Sequence, residues 1–141
     1  MFAADELPEY SIVGAGTGAQ GTYLVEVSAL VPKADKADET VLARCAVHGV
    51  LFKGFAGKDS RQSQKPMAGG PAAEASHADY YSNFFKKDGP ASDYASVVSP
   101  SVRRVKSGKK YRVTATVSVN KEQLSKDLEA AGVLRGLNSI F

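Results

Sequence analysis

Between Tyr111 and Asn120 the chain alternates without a break. Tyr111, Val113, Ala115, Val117 and Val119 fall on one parity, and Arg112, Thr114, Thr116 and Ser118 on the other. A period of two sends successive side chains to opposite faces, so this stretch predicts a strand with one face on a core. Valine and threonine also suit a pleated surface. A helix signature follows at once: Asn120 is placed to cap, Gln123 stands where the partner of a capping box belongs, and Leu124, Leu128 and Ala131 form one stripe. Neither element can bury its apolar side alone. Together they predict a layered α+β fold.

Tyr10–Val13 reads as a short strand before residues 14–21, whose four glycines suit a tight turn or a bulged hairpin. Thr22–Val31 supplies a strand apolar on part of both faces, as an interior strand is, and Pro32 closes it. Asp35 or Asp38 can cap the next helix. There Val41, Cys45, His48, Phe52 and Phe55 recur at three- and four-residue steps, as one core-facing stripe. Gly49 and Gly54 each weaken that helix by about 1 kcal/mol relative to alanine. Close approach of the backbone to the sheet accounts for Gly49, and Gly57 is a terminator. Residues 58–76 have no period and read as a surface loop. Ser76 then caps a short helix over 77–87 with Tyr80, Tyr81, Phe84 and Phe85 as its aromatic stripe, stopped by Asp88-Gly-Pro90.

Tyr94–Val98 reads as either a turn or a short strand. Ser101–Lys106 reads as a strand hairpinned to 111–120 through Ser107-Gly108-Lys109, and Gly132 as the residue that ends the last helix. The apolar residues Val133, Leu134, Leu137, Ile140 and Phe141 are expected to pack down. The expectation is one α+β domain over residues 1–141, a largely antiparallel sheet of about four strands covered by two main helices and one short helix.

At 141 residues, 43% hydrophobic and 23% charged, the chain can build a core and is not of disordered composition. The net charge of +3 is too small to imply a polyanionic partner by itself. Its distribution is more informative. Residues 1–40 hold seven acidic and two basic side chains, whereas residues 101–112 hold six basic ones and no acid. Such polarity can dock the two regions or attract a charged partner. The single Cys45 excludes an internal disulfide. No apolar run reaches the roughly 18 residues of a membrane-spanning helix. The first nine residues lack the basic and apolar zones of a secretory leader, and Met1 fits either a native start or an addition to a trimmed chain.

Gly16-Thr-Gly-Ala-Gln-Gly21 matches the glycine spacing of a dinucleotide-binding loop, but the chemistry needs a helix opening among the glycines. A strand follows here instead, so a hairpin turn is the better reading and no cofactor is expected. Cys45 and His48 stand three apart on the helix, where they could share a metal ion or form a nucleophile pair. Zinc needs further ligands, for which only His77 and Asp79 offer themselves, and a reactive thiolate needs exposure and nearby positive charge. A core cysteine and a hydrogen-bonded histidine account for them better. His77, Asp79, Tyr80 and Tyr81 can line a polar-aromatic binding surface beside the 58–76 loop; helix packing explains them equally. Arg103, Arg104, Lys106, Lys109, Lys110 and Arg112 form the one strong basic patch. Phosphate contacts are within its reach, but nucleic-acid recognition also wants stacking aromatics, and only Tyr111 lies among these charges, facing inward. Edge protection or another acidic partner fits better. Asp35, Asp38 and Glu39 are explained by capping, and Glu26 has no acidic companion, so no paired-carboxylate chemistry is indicated.

The strand-rich opening, the segment Ala46-Val-His-Gly-Val-Leu-Phe-Lys-Gly-Phe-Ala56 and the segment Lys109-Lys-Tyr-Arg-Val-Thr-Ala-Thr-Val-Ser-Val-Asn120 together resemble small uncharacterised Bacteroidetes envelope proteins. The resemblance covers about half of the chain. It implies a secreted or periplasmic protein whose leader has been trimmed, and it carries no catalytic motif. The function expected is a non-catalytic binding or protein-interaction domain, part of a cell-envelope assembly, with a protein or small ligand as partner. Its contact surface is expected at the 58–76 loop and the 77–87 helix. The alternatives are an enzyme with an unrecognised site in that same region, and nucleic-acid binding through the 103–112 hairpin.

Overall fold

The computed structural model describes residues 7–16, 21–33, 38–57, 64–69, 71–86, 89–98 and 102–133. Five strands, β1 (Glu9–Gly16), β2 (Tyr23–Val31), β3 (Ala95–Val97), β4 (Arg103–Ser107) and β5 (Lys110–Val119), make one antiparallel sheet. The order is β1-β2-β5-β3, with β4 also paired to β5. β3 lies against Val117–Val119 and β4 against 110–114, so these two share one side of β5. β3, from the stretch that reads as turn or strand, is the addition to the four strands expected.

The β2–β5 register runs from Tyr23 opposite Val119 to Val31 opposite Tyr111. It puts Val25, Val27, Ala29 and Val31 beside Val113, Ala115, Val117 and Val119 on one face, and all eight are buried. The other face carries Glu26, Ser28, Arg112, Thr114, Thr116 and Ser118 between half-buried Leu24 and Leu30. Glycines mark both hairpins, although residues 17–20 of the first turn lie outside the described residues. β1 shifts register between Gly14 and Gly16, and β4 turns into β5 through Gly108 (φ 64°) and Lys109.

Helix α1 (Glu39–Phe52) crosses the covered face, capped by Asp38, whose carboxylate accepts from the Val41 N–H at 2.9 Å. It is shorter than its sequence stripe, which runs on to Phe55. Gly54 turns left-handed (φ 68°), its N–H reaches back to the Gly49 carbonyl at 2.8 Å, and Phe55 instead bridges to Gln64. Gly54 rather than Gly57 ends the helix. Every residue from Leu42 to Phe52 except His48 is buried, so α1 is an inner helix and not a one-sided one. Gly49 allows the close approach expected of it: a Cβ there would stand 2.7 Å from Ile12 Cδ1 and 3.3 Å from a Tyr10 ring carbon.

The outer side of α1 is covered by parts of the chain that read as loop. The Met67 and Ala68 N–H groups donate to the Val50 and Leu51 carbonyls near its end. Helix α2 (Pro71–Ser76) leads through His77 into α3 (Ala78–Phe85), and a 3-10 turn (Pro90–Tyr94) follows. Ser76 does not cap α3; its hydroxyl donates to the Ala72 carbonyl within α2. Arg44, 5% exposed on α1, donates to the Phe85 carbonyl at 2.9 Å and so satisfies the end of α3. Helix α4 (Lys121–Ala130) buries Leu124 and Leu128, while Ala131 is exposed. Asn120 caps it through the Gln123 N–H at 3.2 Å, but the Gln123 side chain turns to Asp127 and the Asn120 N–H is taken by the Tyr94 carbonyl. The capping box is therefore half made. Gly132 (φ 79°) ends α4, with its N–H on the Glu129 carbonyl and that of Val133 on Leu128. Among the described residues, the arrangement of two main helices and one short helix is thus replaced by α1, α2, α3, the 3-10 turn and α4. No helix among them is long and apolar enough to cross a membrane. Leu134–Phe141 lie outside the described residues.

Candidate functional site

Three elements meet at His48. From α1 its imidazole reaches Tyr10 of β1, with 2.5 Å between the hydroxyl and Nδ1, and Glu74 of α2, with 3.1 and 3.2 Å from Nε2 to the two carboxylate oxygens. Phe52 and Phe85 stand edge-on to the ring at centroid distances of 5.0 and 5.2 Å. Burial among these rings lowers the His48 pKa below the ordinary histidine value; the charge and hydrogen bond of Glu74 oppose that shift, and Lys53 adds to it. A neutral ring has one donor nitrogen. The carboxylate can only accept, so Nε2–H donates to Glu74 and the Tyr10 hydroxyl donates to Nδ1.

Carboxylate, imidazole and hydroxyl in that order are the parts of a nucleophile relay. Here the hydroxyl is the wrong one to activate. Burial, with Cys45 and Glu74 adding, raises the Tyr10 pKa, which keeps its proton in place. The Lys53 ammonium covers the Tyr10 ring at 3.9 Å and donates to the Tyr10 carbonyl at 3.3 Å. The arrangement therefore works as a staple joining β1, α1 and α2. Cys45 is buried and free, and burial pushes its thiol up to about 12, against the pull of Arg44 and Lys53. A thiol held so is inert. Glu74, not His77 or Asp79, is the group brought to His48. Among the described residues no cluster of three or more His, Cys, Asp or Glu side chains is placed to hold a metal ion.

His77, Asp79, Tyr80 and Tyr81 do not converge on one point. Tyr81 is 2% exposed, packed edge-on to Phe52, and its hydroxyl donates to the Val133 carbonyl at 3.4 Å. Asp79 is exposed and its backbone carbonyl accepts from Asn83. His77 sits 6.5 Å from the Tyr81 ring, and half-buried Tyr80 stacks on Phe84. The aromatic stripe of α3 is mostly internal because α1 lies beneath it. Beside it Tyr94 donates to Asp127 at 2.5 Å, and burial together with that bond raises the Tyr94 pKa.

The basic residues are arranged differently. Arg103, Arg104, Lys106, Lys109, Lys110 and Arg112 are all exposed, and so is every residue of β4. Arg103 reaches Glu26 at 3.4 Å and Arg112 reaches the Ser28 hydroxyl at 3.3 Å, both on the uncovered face. Arg104 and Lys106 lie on the other face, opposite buried Val113 and half-buried Tyr111, and are themselves exposed. Half-buried Tyr111 points to that face. Val105, at 61% exposure, stands in the middle of the strand. The acid-rich residues 1–40 and this hairpin touch through the Arg103–Glu26 pair, while Asp5, Glu6 and Asp35 lie outside the described residues. The charge run and an edge for it to protect were both legible in the sequence; the face that each cation takes was not.

No family model, curated protein or solved structure matches the chain.

Proposed function

We propose that this chain is a non-catalytic interaction domain whose contact element is the β4–β5 hairpin and whose partner is an acidic protein. The observation that carries the reading is that all five residues of β4 are exposed while the hairpin holds six cations and no acid. A cationic, water-exposed arm raises the local concentration of acidic groups and speeds their encounter. The contact surface thereby moves from the 58–76 loop and the aromatic helix to the hairpin, since the helix spends its rings on packing. A setting outside the cytoplasm, in a cell-envelope assembly, belongs to the same proposal; the resemblance to envelope proteins supports it, and an inert buried thiol suits an oxidising compartment.

A second reading is an enzyme working through Tyr10, His48 and Glu74, favoured by the order of their hydrogen bonds. It is the weaker one, because burial raises the pKa of the hydroxyl at the end of the relay and Lys53 covers its ring. The test is retention of the purified protein on immobilised poly-glutamate. The protein is expected to bind and to elute with salt, and Arg103→Gln/Arg104→Gln/Lys106→Gln is expected not to bind. Equal passage of both proteins through the column would overturn the proposal, and recovery of the native protein in a cytoplasmic fraction would overturn its location.

A further inference from the structure

The sheet treats its two edges differently. In an antiparallel pair, alternate residues turn their backbone groups toward the partner strand and the rest turn them away. On β1 the outward residues are Tyr10, Ile12 and Gly14, because Glu9, Ser11 and Val13 face β2. That edge is engaged at two points: the Tyr10 carbonyl accepts from Lys53 Nζ, and the Gly14 N–H donates to the Ala56 carbonyl at 2.8 Å. On β4 the two-residue turn makes Ser107 and Lys110 a mutually bonded pair, so Val105 and Arg103 also face β5. Arg104 and Lys106 therefore aim their N–H and C=O groups away from the sheet, and among the described residues nothing meets them.

We propose that this bare edge of β4 takes up an acidic, extended peptide segment of a partner protein as a further strand. The inference rests on the reading of the hairpin as the contact element and specifies how the partner is held. Its backbone would exchange hydrogen bonds with Arg104 and Lys106, the mode by which exposed edges capture extended peptides. Carboxylates on alternate residues would lie beside the Arg104 and Lys106 side chains, as opposite charges do across a strand pair. An apolar residue between them would cover Val105, which is more exposed than Val13 or Val98. Cations on an edge deter neutral or basic strands, so protection alone explains the charges. It does not explain an uncovered valine at the centre of the edge, and an alternating acidic and apolar segment matches both.

The probe is a short end-blocked peptide alternating Glu and Val, compared with the same peptide N-methylated along one edge so that charge is kept and donors are lost. The first peptide is expected to bind, with affinity falling at least about tenfold on N-methylation. Lys106→Pro, which removes an outward N–H, is expected to weaken binding more than Lys106→Gln, with circular dichroism confirming that both variants fold. Equal binding of the two peptides would overturn strand addition and leave the acidic-partner reading standing. Binding of neither would overturn both. Tighter binding of single-stranded DNA than of the peptide would also overturn the inference, by pointing to phosphate as the ligand chemistry.

Discussion

The hydroxyl of Tyr10 donates to Nδ1 of His48 across 2.5 Å, joining the edge strand to the inner helix between residues 38 positions apart. Glu74 holds the opposite nitrogen, so one neutral ring ties three elements together. Tyr10→Phe leaves Nδ1 without its donor and is expected to cost about 1 kcal/mol in urea denaturation at neutral pH. Unchanged stability would show that the hydrogen bond does not help hold β1.

The same ring makes stability depend on pH. Above the ordinary histidine value of 6.5 it is neutral in folded and unfolded chains alike, and pH has no effect through it. As pH falls through 6.5, the unfolded chain takes up a proton that the folded chain resists. Stability is therefore lost from 6.5 down to the lowered folded value, and levels off below that. The slope of unfolding free energy against pH in this window is expected to shrink in His48→Gln. Parallel slopes in the two proteins would contradict the assignment.

Gly54 is the position least able to accept a side chain. Its φ is 68°, and an added Cβ would stand 2.5 Å from the Gln64 carbonyl oxygen and 2.8 Å from the Pro66 nitrogen. Both are backbone atoms with little room to move. Gly54→Ala is expected to cost at least about 2 kcal/mol, since the left-handed conformation alone costs roughly 1–2. A shift in melting temperature of less than a degree or so would refute the account of how α1 ends.

Arg44 is buried, and its guanidinium serves the Phe85 carbonyl. Arg44→Ala strands that carbonyl and opens space beside α3, with an expected loss of about 1–3 kcal/mol. Amide hydrogen exchange provides the check. Faster exchange should concentrate in α3 and the 3-10 turn, and uniform acceleration over the sheet would argue for a general rather than a local effect.

Cys45 should ignore thiol reagents in the native state. With the thiol buried and its pKa near 12, Ellman's reagent is expected to react only as fast as the protein opens. Reaction at the rate of the urea-unfolded chain would place the thiol at the surface and revive it as a nucleophile.

The sequence by itself determined the local geometry. The two-residue period placed β2 and β5, Asn120 and Asp38 marked helix starts, and Gly108 and Gly132 marked a turn and an end, because each depends on backbone preferences within a few residues. Tertiary structure decided what those elements do for one another. Periodicity could not show that α1 is covered on both sides, because α2 and the segment that packs Met67 and Ala68 against it have no period of their own. Nor could it join Tyr10, His48 and Glu74, whose meeting depends on how β1 and α2 pack on the helix. The two sheet edges carry the same lesson: Lys53 and Ala56 engage one at two points, and nothing described meets the outward groups of Arg104 and Lys106 on the other. Alternation along a strand is a short-range property of the backbone, whereas the exposure of an edge depends on which distant segment comes to lie beside it.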